Sequence, residues 1–261
     1  MTVVKHELRQ GRNAFLIWTA AIGALLITCI FLYPDMKGEM EGISRLFSSM
    51  GAFTAAFGMD RLDFGTLSGY YAIECGNVLG LGGAFFAALC AVTILSREEQ
   101  EHTAEFLLAH PVSRLRIAAE KLISVFLRIL GLNLLILLLA VGSMIAIGEE
   151  IPWKGLLLLH LAYTILQLEI SGICFGISAF MRRGSLGVGL GIAILLYMLN
   201  LIANISDAAS FLKYITPFAY CDGADIMHLK QLDGIRIAIG AVLCTGGVLA
   251  ACLYYPRKDI R

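Results

Sequence analysis

Charge is scarce in this chain. Lys, Arg, Asp and Glu make up 15% of 261 residues and cancel to a formal net charge of zero, so no surface of one sign is available to hold nucleic acid. A soluble domain carries about 25% charged residues. Here hydrophobic residues fill the gap at 58%, and the mean hydropathy is +0.79. Phosphate-cradling loops are missing too: none of the lysines follows a glycine, so G-x-x-x-x-G-K-[ST] can be written nowhere. Neither H-E-x-x-H nor G-x-S-x-G occurs, and the five histidines (6, 102, 110, 160, 228) fall in different segments, which argues against a hydrolase. The seven cysteines contain no C-x-x-C pair and lie mostly in apolar runs, where they serve as small hydrophobes. Cys75 and Cys221 stand apart, both expected near the outer face, which leaves a disulfide between them open. No metal ligands and no cofactor are expected in this chain.

What is present is long apolar runs. Six of them, about 14–33, 69–95, 122–147, 155–180, 186–203 and 235–255, are long enough to cross a bilayer. The first is not followed by a small-residue cleavage pattern, so it reads as a retained span that Pro34 and Asp35 end. The second is long and glycine-rich, predicting a tilt or kink near Gly80, Gly82 and Gly83. Residues 1–13 place Lys5, Arg9 and Arg12 on one helical edge, as expected of a short helix on the membrane surface. Residues 35–68 and 204–234 read as outer segments, and Trp153 as an interfacial anchor. Six spans put both termini on one side. The loops of that side carry twelve lysines and arginines against seven on the other, so the positive-inside rule makes it cytoplasmic. The expected protein is one all-α domain, 1–261, of the cell membrane.

One polar stretch, 96–121, interrupts this pattern between the second and third runs. As a helix it places Glu98, Glu101, His102 and Glu105 on one acidic stripe. Ser96 with Glu99 fits a capping box, Pro111 ends the helix, and Ser113 caps the next one, which runs through Arg114, Arg116 and Lys121 into the third span. The run spelled by Glu98, Thr103, Glu105, Leu107, Leu108, Pro111, Val112, Ser113 and Arg114 resembles the cytoplasmic coupling-helix segment of type-2 ABC transporter permeases. The stretches 46–60 and 212–227 are also similar to that family. One departure is His102, where the family usually has Gly before the Thr, which leaves the start of the coupling helix open in shape.

The resemblance implies a permease subunit, not itself an enzyme, that exports substrate and is driven by separate ATPase subunits holding ATP and Mg. It also implies a second copy of the chain, or a related permease, packed about a two-fold axis. Glu98, Glu101, His102, Thr103, Glu105, Leu107, Leu108, Pro111 and Arg114 would then couple to the ATPase. The other reading is an ion-gradient-driven transporter or channel using Glu169, the most interior ionisable residue. Arg128, Asn133, Gln167 and Asn200 are the further polar residues within spans, together with His160, and they read as clamps between helices or as a substrate path. Arg128 could reach either the inner interface or Glu169. Three glycine pairs, Gly76/Gly80, Gly172/Gly176 and Gly187/Gly191, are expected to let helices approach closely.

Overall fold

The computed structural model describes residues 2–38, 51–62, 65–101, 112–182 and 184–258. Six helices in it are long and apolar enough to cross a membrane: Arg12–Lys37, Leu67–Val92, Arg114–Ala146, Trp153–Phe180, Leu186–Ile205 and Gly234–Arg257, called spans one to six below. All six runs expected from the sequence are therefore present, and the described residues contain no strand. A separate N-terminal helix, Thr2–Gln10, precedes span one.

The ends of the spans differ from expectation. Span one does not stop at Pro34 but continues to Lys37. Proline in the last turn forfeits a single backbone bond and leaves the rest of the helix intact. A 2.8 Å ion pair between Lys37 and Glu149 fastens the turn beyond it. Span three starts at Arg114, where the Ser113 hydroxyl accepts the Arg116 N–H at 3.3 Å, the cap read from the sequence. At roughly 1.5 Å per residue its 33 residues exceed a hydrocarbon layer of about 30 Å, so its first turns, through Lys121, extend beyond that layer.

Span two is broken where its glycines cluster. A helix over Leu67–Cys75 passes into π turns at Gly76–Leu81 and returns to α at Gly82–Val92. Tyr163 of span four lies over this region, and a Cβ on Gly76 or Gly80 would come within 2.9 Å of it. Spans two and four form the core through Leu79, Phe86, Leu159, Leu166 and Phe175. On its other side span four meets span six along a glycine seam, where a Cβ on Gly176 would sit 2.7 Å from the Gly247 carbonyl oxygen. Two of the three expected glycine pairs thus make close approaches. The third does not: Gly191 has nothing near it, and Gly189 with Ala193 faces inward instead, Gly189 against Val92 and Ala88 of span two. Two residues of helix are a rotation of about 200°, so the Gly187/Gly191 pair lies on the uncovered side.

Spans five and six are the least covered, with Leu195, Val242 and Leu253 turned outward. At the face opposite the chain ends, short helical turns at Asp207–Tyr214 and Pro217–Cys221 lead to a helix at Gly223–Leu229. Cys75 and Cys221 are both buried and free, so the disulfide left open by the sequence is not formed. Burial, then Glu169 and other neighbouring acidic groups, push the Cys221 thiol well above its ordinary pKa.

Candidate functional site

At the face with both chain ends, the chain leaves span two through a turn and enters a short helix, Arg97–Gln100. Carbonyls at a helix end lack intrahelical partners. One of the carbonyls in this turn, that of Ile94, is taken by the fully buried Lys121 of span three at 2.5 Å. Lys121 also pairs with Glu98, and lies 3.5 Å from Glu7 of the N-terminal helix. Glu7 is 1% exposed and is the hub of this face: Arg97 reaches it at 3.4 Å and Arg128 at 3.8 Å. Gly11 allows this, because the Arg128 guanidinium occupies the space a Cβ would need. The basic edge of the N-terminal helix, Lys5, Arg9 and Arg12, stays exposed as expected. Its first-turn N–H groups of Val3 and Val4 donate to Glu120 of span three at 3.1 and 3.4 Å.

The C-terminal tail joins the same assembly. Lys258 pairs with Glu99 at 2.7 Å and donates to the Met181 carbonyl at 2.6 Å. Arg114 donates to the Lys258 carbonyl at 2.6 Å. The capping box is therefore corrected: Ser96 makes no cap, because its backbone sits in a turn with both its N–H and its hydroxyl donating to the Thr93 carbonyl, and Glu99 pairs with Lys258 instead. Of the acidic stripe, Glu98 is turned inward to Lys121 and Glu101 is exposed. His102, Thr103, Glu105, Leu107, Leu108 and Pro111 lie outside the described residues.

Within the spans the polar residues fall into separate groups. Arg128 turns to Glu7 and not to Glu169. Asn133 donates to the Gln167 side-chain oxygen at 2.7 Å, and Gln167 donates to the Leu79 carbonyl of the π segment at 3.4 Å. This chain of amides ties spans three, four and two, and Gly83 leaves the room Gln167 needs. Glu169 accepts the Tyr220 hydroxyl at 2.7 Å and packs on Gly240 of span six, while its other oxygen has no partner among the described residues. His160 and the Tyr71 hydroxyl meet at 2.7 Å. Asn200 lines a cavity of about 60 Å³ with Asn77, Tyr163, Tyr197, Asn204 and Asp222, enough for a few waters.

Beside this cavity lies a clasp. Arg61 pairs with Asp222, and with Asp225 at 2.7 Å, and the His228 ring N–H donates to the Arg61 carbonyl at 2.7 Å. Burial works against the Arg61 charge, but Asp222 and Asp225 outweigh it and hold its pKa above the ordinary arginine value.

Sequence reasoning missed Glu7, Lys258 and Tyr220. Glu7 alone left a signal, a single acid on a helix whose other ionisable residues include Lys5, His6 and Arg9. Compared with curated proteins, the chain has no match. A family profile described as ABC-2 family transporter protein matches residues 1–224, which include the first five membrane helices and the charged segment between spans two and three. The chain belongs to the ABC-2 family of transporter proteins.

Proposed function

We propose that this ABC-2 permease is an exporter driven by separate ATPase subunits that dock on the face carrying both chain ends, and that this face is cytoplasmic. ATP and Mg would be held in those subunits, and two copies of the chain, or one with a related permease, would enclose the route. The observation that carries the reading is the charged helix between spans two and three. It is fixed against the spans through Glu98 and Glu99, yet leaves Glu101 open to solvent at its end. The twelve-to-seven excess of basic residues supports the orientation, and the sparsely covered spans five and six offer surface for a second subunit.

Glu169 accepts the Tyr220 hydroxyl and packs on Gly240, contacts that join span four to a turn before span six and to span six itself, and these support its reading as a clamp. The test is co-purification of the tagged full chain with the ATPase subunit expressed beside it. Glu101→Lys should weaken recovery of the ATPase several-fold while the permease still inserts. An unmodified chain that recruits no ATPase would overturn the reading. Direction is tested by deleting the chain: an exporter's loss leaves cells retaining its substrate, an importer's loss leaves them without uptake.

A further inference from the structure

Three successive residues of the short helix take their counter-ions from three distant parts of the chain. Arg97 pairs with Glu7 of the N-terminal helix at 3.4 Å, Glu98 with Lys121 of span three, and Glu99 with Lys258 beyond span six at 2.7 Å. The side chains of Glu7, Lys121 and Lys258 are 1%, 0% and 4% exposed. That burial decides what the pairs can do. Exposed ion pairs exchange freely with water and constrain little. A buried ion whose partner moves away is left uncompensated at a cost of several kcal/mol, so the four parts resist moving separately. Lys121 links two of the points by also approaching Glu7, and Arg114 links the tail to span three through the Lys258 carbonyl.

We propose that Arg97, Glu98 and Glu99 are positioning residues that deliver a displacement of the coupling segment to the N-terminal helix, span three and span six together, with Glu99 and Lys258 as the link to span six. This rests on the reading of 96–121 as the segment that meets the ATPase. Span six packs within the chain chiefly along span four, where Cys244 fits against Gly172 and Glu169 against Gly240, and the Glu99–Lys258 pair adds a second attachment at its end.

Two measurements separate the clamp from the coupling. In a background without native cysteines, Glu99→Cys with Lys258→Cys should cross-link in membranes with a short bismaleimide, whose reach matches that of a Glu–Lys pair as a direct disulfide does not, and Glu101→Cys with Lys258→Cys should cross-link several-fold less. Equal cross-linking of the two pairs, or none in the first, overturns the clamp. The second measurement uses the permease with its co-purified ATPase and follows maleimide labelling of Leu229→Cys, the exposed last residue of the helix before span six. ATP with vanadate should change that labelling rate several-fold. Lys258→Glu and Glu99→Lys should each lose most of the response with the ATPase still bound, and the two together should recover at least half. An undiminished response in the single variants, or a paired variant as impaired as either, overturns the proposal. A chain that cross-links but recruits no ATPase overturns the reading of the segment, and the proposal with it, while the clamp's geometry stands.

Discussion

Replacing Glu7 by Gln keeps the shape of the side chain and removes its charge from a group that contains Glu7, Glu98, Arg97, Lys121 and Arg128. Two acids facing three bases become one acid facing three. At separations near 3.5 Å and an effective dielectric of about 20, each contact of Glu7 is worth roughly 5 kcal/mol before desolvation. Three such contacts sum to roughly 14 kcal/mol, and desolvation removes several kcal/mol per ion. Breaking a buried pair from one side leaves a net loss of about 3–5 kcal/mol. Purified permease carrying Glu7→Gln should therefore melt on the order of 10 °C lower, followed by fluorescence-detected size exclusion after heating. Adding Arg128→Gln should restore part of the loss by removing one uncompensated cation, a coupling of about 0.5–3 kcal/mol. Lys5→Ala, on the exposed edge of the same helix, should stay within about 0.5 kcal/mol of the parent. A Glu7→Gln protein as stable as the Lys5→Ala control, or an Arg128→Gln effect that merely adds, would refute the hub.

Gly176→Leu should abolish folded protein, because the new side chain meets the Gly247 backbone, whereas Gly191→Leu should leave the monomer's folding intact; both are read as monodisperse yield. Single cysteines at Arg116 and Lys37 in a cysteine-free background should label from opposite sides of sealed cells, Lys37 from outside, and labelling from one side would contradict the six-span topology. Glu169→Gln should retain folding and transport, since the new amide oxygen still accepts the Tyr220 hydroxyl, while Glu169→Leu should lower the folded yield. A folded but inactive Glu169→Gln protein, with its ATPase working, would show that the carboxylate itself is used.

The spans were legible in the sequence because a helix in lipid satisfies its own backbone, so a continuous apolar run has few alternatives. Their ends were not. Pro34 looked like a stop, but a proline in a final turn removes too little to end a helix that still has an ion pair beyond it. The glycine kink in span two was readable, whereas its π form depends on Tyr163 and Gln167 arriving from span four. Gly187/Gly191 and Gly189/Ala193 are equally good small pairs on paper, and only the neighbouring span decides which phase faces inward. Ser113, extended in its backbone, capped its helix as expected, while Ser96 did not, because its backbone is already folded into the turn that leaves span two. Glu99, the other half of the expected box, has its partner in Lys258, 159 residues away. The same limit hid Glu7, whose partners Arg97, Lys121 and Arg128 lie on other helices.

These contacts also rank the joints of the molecule by strength. Buried ion pairs bind the N-terminal helix, span three and the tail to the charged segment, and cost about 3–5 kcal/mol to break singly. Spans two, three and four share the amide chain from Asn133 to Leu79, whose bonds are worth about 0.6 kcal/mol each in a membrane and up to about 1.7. Between spans four and six the Gly176 and Gly247 backbones meet, Cys244 fits against Gly172 with its thiol donating to the Leu168 carbonyl at 3.7 Å, and Glu169 is set on Gly240. Close packing holds this seam laterally, and the Cys244 and Glu169 side chains key it along its length. At the far face, the Arg61 clasp combines the exposed pair with Asp225, worth about 1 kcal/mol or less, with a pair to the mostly buried Asp222 side chain. The ion pairs at the charged segment are therefore the strongest of these joints, and the exposed Arg61–Asp225 pair the weakest. On this ordering, bulk at Gly176 blocks folding because it meets the Gly247 backbone, whereas loss of the Asp225 carboxylate alone should leave stability nearly unchanged.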